Sequence, residues 1–397
     1  MHKQAREAFN SSFTDSKYKA FVNSFEEDFP GQLDFRVAET PVFVPKDLLE
    51  KINIASKEII KTLRFPKFIS NTERAVPAGQ SVPNENGHTS FLAIDYAICK
   101  DEAGDFTPQL IELQGFPSVF GYQAYLSELF KKHFDIPKQF HYGFGSESYE
   151  AYIQKLKELI IADENPENVI LLEIFPEKQK TRIDFAVTEA MLGIKAVCYT
   201  KLIKEGRTLY YEKDGRKIQV KRIYNRLIFD DLLNYPDLQT SYHFTDDVNV
   251  AWVGHPNWFF RISKFSIPFL KSEYIPETRF VSDYNGDFPQ DLENYVLKPL
   301  FSFAGAGVQL HIKESDLTSL PDPENYILQK KVVYAPVIQA PDGLVKCEIR
   351  MMYGWNDNGD KPELLIGLSR LSRGEMIGVR YNKDFTWVGG SAVFFEI

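Results

Sequence analysis

The stretch from Asn168 to Tyr199 constrains the fold of this chain more than any other. Val169-Ile-Leu-Leu-Glu-Ile is a short apolar run, a helical stretch follows as far as Leu192, Gly193 ends it, and Ile194-Lys-Ala-Val-Cys-Tyr is a second apolar run. A buried strand, a glycine-stopped helix and another strand predict a β-α-β unit. Directly after it, Thr208-Leu-Tyr-Tyr-Glu and Lys217-Ile-Gln-Val flank Lys213-Asp-Gly215, and alternation around Asp-Gly predicts a hairpin. Arg222-Ile-Tyr-Asn-Arg226 predicts a further strand that leads into a loop. Upstream, Pro45 to Leu63 places Leu48, Leu49, Ile52, Ile59 and Ile60 at helical spacing. Tyr149, Tyr152, Ile153, Leu156 and Ile160 repeat that pattern after Ser148. In the last third, strand-like runs at Tyr295 to Lys298, Val308 to Ile312, Tyr326 to Gln329 and Leu364 to Leu368 alternate with turns, which predicts an antiparallel sheet. The expected class is mixed α/β, or α+β.

With 397 residues, 44% of them hydrophobic, the chain is long enough for two or three closely associated domains. A net charge of −9 opposes non-specific attraction to nucleic acid or anionic lipid, so neither is expected as a partner, and an anionic substrate needs a local basic pocket. No apolar segment of signal-peptide or membrane-spanning type is present, from which a cytoplasmic location is expected. Cys99, Cys198 and Cys347 lie far apart and outside any CxxC pattern, which predicts reduced thiols. The histidines lie in separate segments with no HExxH spacing, which argues against a zinc hydrolase.

Four segments carry candidate chemistry. Tyr295-Val-Leu-Lys298-Pro-Leu-Phe-Ser302-Phe-Ala-Gly305-Ala-Gly307 is a strand ending in a lysine, followed by a small-residue loop. Glycines there let backbone N–H groups approach a phosphate, and the lysine would neutralise it; the competing reading is a tight turn between strands. In Pro108-Gln-Leu-Ile-Glu112-Leu-Gln114, side chains two apart share a face, so Glu112 and Gln114 point the same way. If Asp95 of Phe91-Leu-Ala-Ile-Asp95 lies on the neighbouring strand, two carboxylates and an amide oxygen converge as hard ligands of the kind Mg²⁺ prefers. The competing reading is an edge strand with solvated acids. The remaining segments are Tyr326-Ile-Leu-Gln329-Lys330 and the region holding Arg350, Arg370 and Arg380, whose forks suit phosphate or acyl phosphate.

In this order the segments resemble the synthetase part of glutathionylspermidine synthase and its relatives, a branch of the ATP-grasp ligases. The similarity is carried by Ala93-Ile-Asp95, Leu110-Ile-Glu112-Leu-Gln114, Lys298-Pro299, Tyr326 to Gln329 and Gly378-Val-Arg380, and it covers residues 85 to 125 and 290 to 397. The family has an arginine where Ala93 stands and an asparagine where Gln114 stands, and the amidase domain of some members has no counterpart here. The resemblance implies an ATP-grasp fold with a pre-ATP-grasp-like α/β domain. Its parts are an N-terminal region with the metal-binding strands (1–165), the α/β domain (166–245) and a nucleotide-binding lobe (246–397). It implies an ATP-dependent ligase that activates a small-molecule carboxylate as an acyl phosphate and joins it to an amine. Asp95, Glu112 and Gln114 would hold Mg²⁺. Lys298, Ser302, Gly305, Gly307, Gln329 and Lys330 would hold ATP. Arg380, and secondarily Arg350, would stabilise the transferring phosphoryl group. Two other readings stay open: a degenerate module of the same fold that binds without turnover, and a structural or carbohydrate-binding protein suggested by 14% aromatic residues.

Overall fold

The computed structural model describes residues 1–301, 307–374, 377–378 and 381–397. The predicted β-α-β unit is present. Val169–Glu173 and Lys195–Cys198 pair in parallel, linked by the Arg182–Leu192 helix. That helix stops at Gly193, whose φ of 73° is open to glycine at little steric cost. Arg222–Asn225 and Ala251–Val253 extend the sheet, giving the order Ala251–Val253, Arg222–Asn225, Val169–Glu173, Lys195–Cys198 with every pair parallel. Thus the strand predicted at Arg222 is recruited beside Val169–Glu173, and the sheet reaches into residues beyond 245. The Thr208–Lys213 and Arg216–Val220 hairpin turns at Asp214 and Gly215, both at positive φ, the backbone that a two-residue Asp-Gly loop favours. Ile203–Glu205 pairs with it to make a three-stranded sheet.

The largest layer is an eight-stranded sheet. Its path runs Val42–Val44, Gly389–Glu396, Glu363–Ser372, Gly343–Gly354, Phe91–Lys100, Phe106–Gln114, so strands from the two ends of the chain meet at its centre. Helix Lys46–Leu63 covers one face, burying Leu48, Ile52, Ala55 and Ile59 at the spacing read from the sequence. Asp47 in its first turn and Lys61 in its last complement the helix dipole. Helix Tyr149–Ile160 begins where expected, with the Ser148 hydroxyl accepting from the Ala151 N–H at 3.2 Å.

The antiparallel sheet expected in the last third is instead divided between two sheets. Tyr326–Lys330 pairs with Thr278–Phe280 on one side and Tyr295–Pro299 on the other, forming a small three-stranded lobe, whereas Glu363–Ser372 belongs to the eight-stranded sheet. Val308 to Ile312 is not a full strand. One bridge, with N–H···O bonds in both directions between Leu297 and Gln309, is its ladder. The small lobe has its own apolar cores, one around Tyr284, Leu297, Leu317 and Leu328, another around Phe260, Phe265, Phe280 and Ile327. Trp252, Trp258, Trp355 and Trp387 are all buried, so the tryptophans serve packing. Cys99 and Cys347 are buried, Cys198 is half-buried, and all three are free thiols. Among the described residues no helix is long and apolar enough to cross a membrane.

Candidate active site

Antiparallel pairing puts Asp95 directly beside Glu112, the neighbourhood expected from the sequence, and places Arg350 on the other side of Asp95. One strand further, Glu348 stands opposite Arg370. Because side chains two apart share a strand face, Glu348 and Arg350 project with Asp95 and Glu112 into one charged row. Asp95 is fully buried. Arg350 donates to both of its oxygens, Nε to Oδ1 at 2.6 Å and a terminal nitrogen to Oδ2 at 2.7 Å, and Arg370 donates to Oδ2 at 2.7 Å. Arg370 also pairs with Glu348, whose second oxygen accepts from the Tyr334 hydroxyl at 2.9 Å.

These contacts set the protonation states. Burial alone would push the Asp95 carboxyl up, but Arg350 and Arg370 outweigh it and hold the group below the usual carboxylate range. Glu348 moves the other way: its burial dominates, Arg370 opposes, and the negative charge of Asp95 adds to the rise. For Arg370 the burial penalty is exceeded by Glu348, Asp95 and Glu112, so its guanidinium is held more firmly charged.

Across from this row stands the small lobe. The Lys298 amine donates to the Gln329 amide oxygen at 2.6 Å, and the Gln329 amide nitrogen donates to the Thr278 hydroxyl at 3.0 Å, so three adjacent strands aim one lysine. Its amine is recessed. Burial lowers its pKa from the ordinary lysine value to about 8, against the pull of Glu112 and Glu348 and with the repulsion of Lys264. Lys264 is itself buried and lowered by that burial, and Glu112 again opposes the shift. Glu112 therefore acts electrostatically on Lys298, Lys264 and Arg370 together, which sets the acidic strand of the first third near the lysine strand of the last third.

The remaining expected residues are distributed unevenly. Gln114 is half-buried beside Glu112, its amide nitrogen 3.4 Å from Glu112 Oε2. Ala93 lies opposite Gln114, and Met352 occupies the neighbouring position on the next strand. Gly307 has a φ of 71°, and a Cβ there would come within 2.9 Å of Pro299 Cγ, so only glycine suits this return toward the lysine strand. Lys330 projects away from Gln329, by strand alternation, and lines a separate cleft of about 490 Å³ with Lys331, Gln109 and Glu273. Ser302, Gly305 and Arg380 lie outside the described residues. The arginines at the two ends of the Arg222–Asn225 strand are held by structural partners: Arg222 donates to the carbonyls of Leu159 and Ile160, and Arg226 pairs with buried Asp184.

Glu348, Arg370 and Lys264 are the site residues that motif reading undervalued. Glu348 lies two residues before Arg350 and so on its face of the strand, a period-two signal available in Lys346-Cys-Glu-Ile-Arg350. The same geometry limits what a divalent cation would find here. Asp95 already carries two guanidinium groups, and the described residues hold no cluster of three or more carboxylate, histidine or cysteine groups able to bind a metal. Glu112 and the Gln114 amide oxygen remain, a pair that suits Mg²⁺ only with water and phosphate oxygens completing its shell.

No protein-family model matches this chain, and no curated protein sequence does. Among solved structures it is similar to a glutathione synthetase-like effector from Globodera pallida in its apo form, with a TM-score of 0.61, 11% identity and 96% of each chain covered. At that identity the likeness is one of fold, a mixed α/β architecture shared over nearly the whole length of both chains.

Proposed function

We propose that this chain is an ATP-dependent carboxylate–amine ligase of ATP-grasp type, with nucleotide bound between the three-stranded lobe and the charged face of the eight-stranded sheet. The observation that carries the reading is Lys298, a recessed lysine aimed by Gln329 and electrostatically coupled to Glu112. The fold-level likeness to a glutathione synthetase-like protein agrees with it.

In this reading Lys298 and Lys264 neutralise ATP phosphates, and binding an anion restores charge balance to a cleft that otherwise keeps two amines depressed by burial. Gly307 belongs to the flap over the triphosphate, and the segment around Gln329 and Lys330 is the hinge on which the base rests. Glu112 and the Gln114 oxygen would hold Mg²⁺, which supplies charge neutralisation to the phosphoryl group when bound. Arg370, partly open at the end of the charged row, would stabilise the oxygens of the transferring phosphoryl group, a role the sequence also suggests for Arg380. Asp95 and Arg350 are positioning residues: they hold Arg370 in place. The substrate carboxylate takes the phosphoryl group, and an amine then displaces phosphate from the acyl phosphate. Glutathionylspermidine synthase-like chemistry is one member of this class.

A second reading, binding without turnover, is favoured by the two guanidinium groups on Asp95, which remove one metal-binding carboxylate. ADP release across a library of amino acids, peptides and polyamines separates the two. A ligase releases ADP with at least one acid and amine pair, and Glu112→Gln lowers that rate by about 100-fold or more. ATP binding without ADP release from any pair supports the second reading, and absence of ATP binding removes both.

A further inference from the structure

The helix Lys46–Leu63 lines, on its outer side, a cavity of about 280 Å³ that the cleft does not use. Asn53, Lys57, Ile60, Lys61 and Arg64 face it from the helix, at the spacings of three and four that bring side chains onto one side. Lys361, Pro362 and Leu364 form the opposite wall, and Ser56 and Tyr353 line its inner end. Four cations therefore border a cavity that has no carboxylate in its lining, on a chain whose net charge is −9. Glu363, next in sequence to this wall, is turned toward Lys155 at 3.5 Å. Among the described residues, none of the four cations lies within ion-pair distance of a carboxylate.

This cavity lies behind the eight-stranded sheet, not in front of it. The Ser56 hydroxyl bonds to the Tyr96 hydroxyl at 2.9 Å, and Tyr96 follows Asp95 on the same strand, so their side chains leave opposite faces. The buried hydroxyls give a polar floor, Ile60, Pro362 and Leu364 give apolar walls, and Lys57, Lys61, Arg64 and Lys361 give the rim. Converging cations in a concave site select a compact multiple charge over a single one, and the small volume excludes a helix or a nucleic-acid strand.

We propose that this groove binds a small organic anion of two or more charges with a short apolar body, at a site distinct from the Lys298 cleft. Phosphate and carboxylate sources share this chemistry, so the probes are inorganic pyrophosphate and citrate, titrated calorimetrically at low salt into the full chain. The expected result is a binding event with at least one probe that is weakened about tenfold or more in Lys57→Ala/Lys61→Ala. The same event persists in Lys298→Ala and in the exposed control pair Lys19→Ala/Lys138→Ala. Preference for pyrophosphate or for citrate identifies the source. The double variant exchanges exposed helical lysines for the best helix former, so its fold is retained, with an unchanged melting temperature as the check. The proposal is overturned if neither probe binds, if the Lys57/Lys61 variant binds as the wild type does, if Lys298→Ala abolishes the event, or if the control pair weakens it equally.

Discussion

The charged row on the eight-stranded sheet and the lysine on the small lobe are both withdrawn from water, yet only one is neutralised from within. Asp95, Arg350, Arg370 and Glu348 neutralise one another's charge through short, charge-assisted hydrogen bonds. Lys298 has a neutral amide as its hydrogen-bond partner, and its pKa falls to about 8. A closed network holds geometry and responds to loss of a member by destabilisation. A lysine left short of negative charge responds to an incoming anion. In the proposed cleft the two regions thus divide the labour, one fixing shape and the other supplying unspent attraction.

Breaking the row gives the largest expected effect. Asp95→Asn leaves Arg350 and Arg370 without their shared counter-charge, and unfolding by urea at neutral pH should show a loss of about 3–5 kcal/mol. A loss below about 1 kcal/mol would mean that solvent, not Asp95, neutralises these guanidinium groups.

The lysine is tested by pH. Its folded pKa, about 8, lies below the ordinary lysine value, so between pH 8 and pH 10 the unfolded chain holds more protons than the folded one. Stability from this group therefore rises with pH across that window, whereas below it the burial penalty is constant. Compared with Lys298→Met, the wild type should gain on the order of 1–2 kcal/mol from pH 8 to pH 10, allowing for partial solvent screening. Parallel stability curves for the two proteins would place the amine in water.

Gln329→Leu sharpens the comparison at a smaller scale. It removes the acceptor of Lys298 and the donor to Thr278, for an expected cost of about 1–2 kcal/mol, most of which should disappear in a Lys298→Met background. The smallest effect belongs to an ion pair on the surface: Lys204→Ala, which breaks a 2.8 Å contact with Asp246, should change the melting free energy by less than about 1 kcal/mol.

Local signals made much of this fold readable. The glycine stop at Gly193, the Asp214–Gly215 turn, the Ser148 cap and the apolar stripe of Lys46–Leu63 act within a few residues, and each occurs as read. Asp95 and Glu112 were legible as neighbours because a short connection forces adjacent strands to pair. The partners of Asp95 were not, since Arg350 and Arg370 lie 255 and 275 residues further along the chain and reach it only when strands from both ends meet in one sheet. The same long-range pairing split the expected antiparallel sheet of the last third, because Gly343–Gly354 found a better-buried neighbour in Phe91–Lys100. Motif reading placed Arg350 on a phosphate. The fold binds its Nε and one terminal nitrogen to Asp95 and leaves Arg370 at the open end of the row.

The central claim, that Lys298 meets the phosphates of a nucleotide across the cleft from Glu112, is tested most directly by calorimetric titration of ATP with Mg²⁺ into wild type and Lys298→Ala. The account predicts saturable binding by the wild type that weakens at least tenfold in the variant while its folded state persists. Equal affinity in the two proteins would contradict it.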